Sequence, residues 1–243
     1  MASAPAADQR KLLDVQALDT RLAQLAHQRR SHPTLATLAE LSGRAEDLDR
    51  ARVDAETAVR DARRALSKAE TDVEQVRSRA DRDRQRLESG AGSPKDMQAL
   101  AHELESLGRR QSELEEVELE AMETLETAQG ELDAITSQRA ALAEQVAQLE
   151  SERDAAFAQI DAEIARVQGE RAAAVENLDS GLVTLYDKVR ERTGGLGVLR
   201  LRGATTDPLQ ITLSLTERAA IEAAPADEII RSEDGYILVR VDD

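Results

Sequence analysis

Residues 88–100 read ESGAGSPKDMQAL. Two glycines, a serine and a proline fall together here, between two long stretches built mostly of Ala, Leu, Glu, Arg and Gln. Their order is that of a stop followed by a start. A helix ending near Glu88 meets Gly90 and Gly92, which accept the positive φ that a sharp reversal needs. Ser93 is a natural N-cap, and Pro94 suits the first helical position, where its fixed φ is already helical. Asp96 lies three residues after Ser93, as in a capping box with Asp in place of Glu. The stretch is expected to be the tip of a helical hairpin, with its turn over residues 89–94.

The flanking stretches carry the pattern that such a hairpin requires. Before the tip, apolar residues recur at alternating steps of three and four: Leu38, Leu41, Ala45, Leu48, Ala55, Val59, Ala62, Leu66, Ala69, Val73, Val76, Ala80 and Leu87, interrupted by Arg52 and Asp83. After the tip the same spacing runs from Met97 to Leu149, with breaks such as Gln111, Glu118 and Arg139. Sustained heptads of this kind form a coiled-coil seam. Folding back at the tip sets Leu87 opposite Met97, Ala69 opposite Leu114, Leu48 opposite Ile135 and Leu41 opposite Leu142. Small residues then often meet large ones, as close antiparallel packing requires.

Two features interrupt the rods. Pro33, in RSHPTLA, should break or kink the first arm near residues 31–34, with Ser31 or His32 capping the helix that follows. The second arm is expected to carry its apolar stripe through Val167, Val175, Leu178, Leu182, Leu185 and Val189 to about Arg192. TGGLG at 193–197 then ends it. The remaining residues read as short strands around a helix opened by a Ser214–Glu217 capping box, and SEDGY supplies a hairpin turn. The expected fold is mainly α. A long antiparallel coiled-coil hairpin covers residues 1–192, and a small C-terminal α+β domain covers 193–243 and leans on the helix base.

Composition agrees with this and removes several classes of function. Charged residues make up 33 % of the 243 residues, the formal net charge is −16, and aromatics are 1 %. Absence of cysteine excludes disulfides and thiolate metal sites. The opening residues lack the apolar run of a secretory signal, and no stretch is apolar enough to span a membrane, so the expected location is the cytoplasm. His27, His32 and His102 have no nucleophile set beside them, and neither a Walker A loop nor a G-x-G-x-x-G is present. The chain is expected to be non-enzymatic, with no cofactor, no bound metal and no small-molecule substrate.

Charge is distributed unevenly. Residues 77–110 hold eight basic and six acidic side chains, whereas 112–126 hold seven glutamates and no base. Arg82, Arg84, Arg86, Lys95, Arg109 and Arg110 at the tip are candidate contacts for an acidic protein, RNA or DNA. The same cations also suit salt bridges between and along the arms, with Asp81, Asp83 and Glu103 at hand.

The segment SGAGSPKDMQALAHELESLGRRQSELEEVELEAME (89–123), the tail APADEIIRSEDGYILVR (224–240) and the N-terminal QRKLLDVQALDTRLAQLAHQRRSHP resemble a family of bacterial coiled-coil proteins with a C-terminal C4-type zinc ribbon. The resemblance covers nearly the whole chain. It implies a helical hairpin with a compact terminal domain. It also implies an adaptor that binds nucleic acid or protein, linked in the family to gene regulation. The family's two C-x-x-C knuckles would fall near Thr206 and Leu209 and near Ser232 and Asp234. None of these is Cys, and tetrahedral zinc requires four thiolate or imidazole-type donors. The terminal domain is therefore expected to be a degenerate, zinc-free ribbon held by strand pairing and apolar packing. The alternative reading is a structural or membrane-associated coiled coil that self-assembles. Residues 8–30 lack the aromatics that a membrane-active face would carry.

Overall fold

The computed structural model describes residues 2–241. Five helices and four strands follow one another as α1 (Ala6–Arg30), α2 (Pro33–Glu88), α3 (Pro94–Glu176), α4 (Ser180–Arg192), β1 (Val198–Arg202), β2 (Thr205–Asp207), α5 (Leu215–Ala223), β3 (Ile230–Arg231) and β4 (Ile237–Arg240). The long helices and the small terminal sheet agree with the mainly α hairpin expected. Among the described residues no helix is long and apolar enough to cross a membrane. The chain divides into two units, residues 36–150 and residues 1–35 with 151–243.

The first unit contains most of α2, the tip and the first part of α3. Every position of the two apolar series is buried or half-buried except Arg52, which is exposed. Leu41, Val59, Val73, Leu107, Leu114 and Leu142 are among the most deeply covered. Asp83 is a break in the pattern but not in the packing, because its residue exposure is only 8 %. Cross-arm polar contacts flank the seam: Arg77 to Glu115 at 2.6 Å, Arg79 to Glu103 at 2.6 Å, Arg139 to Asp49 at 3.1 Å and Arg63 to Gln129 at 3.3 Å. Three of these four pairs sit somewhat farther along the second arm than equal counting from the tip would put them. Helical side chains lean toward their own N-terminus. In an antiparallel pair both leans push contacting residues to higher numbers, which accounts for the offset.

The second unit gathers α1, the end of α3, α4 and the sheet. A break at Ser31 and His32 separates α1 from α2, as Pro33 predicts. Arg29 lies 4.3 Å over the Phe157 ring and pairs with Asp161 at 2.8 Å, while His32 meets the same ring edge-on. The helix expected to continue to Arg192 is instead interrupted at residues 177–179. The Asp179 carboxylate accepts from the Leu182 N–H and opens α4 as a separate helix.

The sheet order is β2-β1-β4-β3, with β1 and β4 parallel and the outer pairs antiparallel. Successive side chains point to opposite faces, and both faces are covered. Val198, Ile237 and Val239 pack on Leu12, Val15, Leu182, Tyr186 and Val189 of α1 and α4. Leu199 and Leu238 pack on Leu213 and Ile221 beneath α5. The terminal domain thus shares its main core with the helix base, as its small size requires. The Ser214–Glu217 capping box forms as expected. Residues 232–236 turn β3 into β4, with Gly235 at φ +84°.

Candidate functional site

The tip is built by local chemistry. Helix α2 ends with Ser89 N–H bonded to the Gln85 carbonyl, and Gly90 and Gly92 take φ of +68° and +148°. Ser93 and Asp96 cap each other. The Ser93 N–H donates to Asp96 Oδ2 at 2.9 Å, and the Asp96 N–H donates to Ser93 Oγ at 3.3 Å. The Ser93 hydroxyl and amide hold the Asp96 carboxyl below its ordinary pKa.

The six tip cations are all exposed, and they divide by partner. Arg84 pairs with Asp81 at 2.7 Å and Arg110 with Glu113 at 3.0 Å, each within its own helix. Arg82 has only a long contact, 3.5 Å, to the Ser78 hydroxyl. Arg86, Lys95 and Arg109 meet no carboxylate among the described residues. Arg82 and Arg110 line one shallow groove together with Arg79, Leu107 and Leu114. Farther along, Gln111 and Arg77 together hold Glu115 below its ordinary range, and Glu115 in turn raises Arg77.

Lys95 is placed against its own helix. It occupies the first turn of α3, where the N–H ends of the backbone present partial positive charge and disfavour a cation. Arg86, in the last turn of α2, faces the favourable end. An unpaired lysine at the wrong end of a helix is a cost that an anion from outside would relieve.

At the base, Asp19 is nearly enclosed. Its carboxylate accepts from Arg171 Nε at 2.7 Å and from the Tyr186 hydroxyl at 2.8 Å, with Arg190 at 3.6 Å. Burial, and next the bond to Asp19, push the Tyr186 phenol well above the usual tyrosine pKa. Gln16 joins α1 to the start of β1. It donates to the Gly195 carbonyl at 3.0 Å and accepts from the Gly197 N–H at 2.6 Å. Arg171 Nη2 also reaches the Asp187 carboxylate at 2.7 Å, while the buried Arg190 Nε has no hydrogen-bond partner among the described residues. The sequence carried a sign of the cluster, since Asp19 lies on the apolar stripe of α1, four residues after Val15 and seven after Leu12.

Among the described residues no three His, Asp or Glu side chains stand where they could hold a metal ion. At the knuckle positions, hydroxyls bond to backbone. Thr206 Oγ1 donates to the Leu209 carbonyl and accepts from the Ile211 N–H at 3.1 Å. Ser232 Oγ accepts from the Tyr236 N–H at 3.1 Å.

Residues 15–194 match the family model described as the CT398-like coiled coil hairpin domain. A protein of Mycobacterium tuberculosis is 34 % identical over 237 residues, covering 97 % of this chain and 96 % of that protein. A solved structure from Mycobacterium smegmatis superposes with a TM-score of 0.85 at 32 % identity, covering 98 % of this chain and all of that one. CT398 from Chlamydia trachomatis shares the fold, with a TM-score of 0.69 at 14 % identity over 96 % of this chain and 98 % of that one.

Proposed function

Because the chain belongs to the CT398-like coiled-coil hairpin family, we propose that it is a non-enzymatic adaptor whose hairpin tip docks an acidic partner, a protein or a nucleic acid. The observation that carries this reading is the set of unpaired cations on both sides of the turn: Arg86 on α2, and Lys95 and Arg109 on α3, with Arg82 held only by a hydroxyl. Arg84 and Arg110, also exposed, pair with carboxylates of their own helices. The unpaired ones are free to release counterions and meet phosphate or carboxylate. Cytoplasmic placement fits this role.

The terminal domain is read as a degenerate zinc ribbon. Two features support it. The turns at residues 207–211 and 232–236 adjoin the starts of the parallel strands β1 and β4, hence the same end of the sheet. Their hydroxyls accept backbone N–H groups of the kind that a knuckle thiolate would accept.

The test is binding of the full chain to single-stranded RNA, duplex DNA and an acidic peptide at low and moderate salt. The quadruple variant Arg82→Glu, Arg86→Glu, Lys95→Glu, Arg109→Glu should lose at least tenfold in affinity for whichever ligand binds. Lysate capture on the wild-type chain but not on the variant should recover the same class of partner. Equal binding by both proteins, or no salt-sensitive binding by the wild type, removes the tip from the function.

A further inference from the structure

We infer that two copies of the chain pair through the outer face of α3, antiparallel and reciprocally about a two-fold axis. Seven-residue steps return to the same line of a coiled-coil helix. Starting at Lys95, the line farthest from the seam reads Lys95, His102, Arg109, Glu116, Glu123. All five are exposed. Its first half carries the cations and its second half the carboxylates. Lys95, Arg109, Glu116 and Glu123 make no ion pair among the described residues, and His102 has only a 3.9 Å contact with Glu105.

A row that is positive at one end and negative at the other is complementary to itself turned end for end. That is the requirement for an isologous interface, in which the same patch serves both partners. Turning one α3 against another so that Arg109 faces Glu116 of the second copy also sets Glu116 against the second Arg109. It carries His102 to Glu123 and places the two-fold axis between residues 112 and 113. Beside the row lies Leu119, 57 % exposed. In this register Leu119 falls on the flank shared by Glu105 and Ser112 of the second copy, and the small Ser112 leaves room for the leucine. The charges set orientation and register, and Leu119 supplies apolar area to bury.

The pairing goes beyond the tip reading and does not need it. It does compete with it, because Arg109 held by the second copy is withdrawn from any other anion. Added salt weakens both, since the charges are solvent-exposed.

Sedimentation of the full chain should show a reversible dimer at low salt that dissociates as salt is raised. Two variants decide the mechanism. Lys95→Glu with Arg109→Glu leaves the row with four carboxylates and His102. Glu116→Lys with Glu123→Lys makes its far half basic. Each alone should stay monomeric with unchanged helical circular dichroism, and an equimolar mixture should dimerise. The chain has no native cysteine, so Ser112→Cys should form a disulfide-linked dimer under mild oxidation far faster than Thr57→Cys. A wild type that stays monomeric to millimolar concentration at low salt overturns the proposal. So does a mixture that fails to restore dimers, or cross-linking that is equal at residues 112 and 57.

Discussion

Asp19 illustrates what one side chain contributes to the base. Its carboxylate is 2 % exposed and receives Arg171, Arg190 and the Tyr186 hydroxyl. Truncation in Asp19→Ala leaves the phenol without its acceptor and Arg190 without its nearest carboxylate, while Arg171 keeps Asp187 at 2.7 Å. Arg171 and Arg190 keep some access to water, at 22 % and 37 % exposure. The loss should therefore be about 2–3 kcal/mol, in the range for hydrogen bonds to charged groups, read from urea unfolding. Tyr186 adds a pH dependence. Its pKa is raised in the folded chain, so the unfolded chain releases this proton first, near the ordinary value of about 10. The contribution is intact below that pH and declines as pH rises above it. Unfolding midpoints followed from pH 9 to 11 should fall more steeply for the wild type than for Tyr186→Phe. An equal slope for both would remove the phenol from the account. The aspartate itself was visible in the sequence as a charge on an apolar stripe. Its role was not, because Arg171 lies 152 residues away along the chain, and a periodic pattern carries no information about pairing at that range.

At the level of whole helices, most of the architecture could be read from spacing alone. A seam needs only local order, and the steps of three and four from Leu38 to Leu149 provided it. The tip could be read for the same reason, since every bond of the Ser93–Asp96 cap joins residues within three of each other. Ser93→Ala should cost about 1 kcal/mol, a usual N-cap value, and should speed amide exchange at the first turn of α3. Asp83 offers the opposite sign. It sits in the seam with its side chain 12 % exposed and its nearest cation, Arg79, at 4.0 Å. Asp83→Leu should raise stability by about 1–2 kcal/mol, as replacing a buried charge by a packed apolar side chain does. A lower thermal midpoint for this variant would show that the carboxylate is needed there. The interruption at residues 177–179 escaped the pattern because Leu178 and Leu182, on either side of it, both reach the same core. An apolar stripe that continues across a break looks unbroken, although Asp179 was available as an N-cap signal.

The hairpin makes one prediction for the molecule as a whole. A chain without cysteine accepts Leu48→Cys and Ile135→Cys as its only thiols, and spin labels there should report one short distance within a monomer. Packed helices place their axes about 8–10 Å apart, so a distance several times larger would rule out an antiparallel seam. The terminal domain followed less readily from sequence. Its strands are only two to five residues long, and their order in the sheet is settled by α1 and α4, whose arrival no local signal announces.

The ends of the chain are stitched together. Ala4 N–H bonds to the Asp227 carbonyl at 2.8 Å, Ile229 N–H to the Ala2 carbonyl at 3.0 Å, and Gln9 reaches Ala4 and Asp227 as well. During synthesis the first helix therefore leaves the ribosome long before its docking site exists. The seam between α2 and α3 can zip while translation continues, and Leu18, Leu22 and Leu25 of α1 can settle on Ile160, Ile164 and Val167 of α3, but Leu12 and Val15 must wait for Val198, Ile237 and Val239. A nascent chain stalled before residue 227 should leave the first turns of α1 open to protease or chaperone.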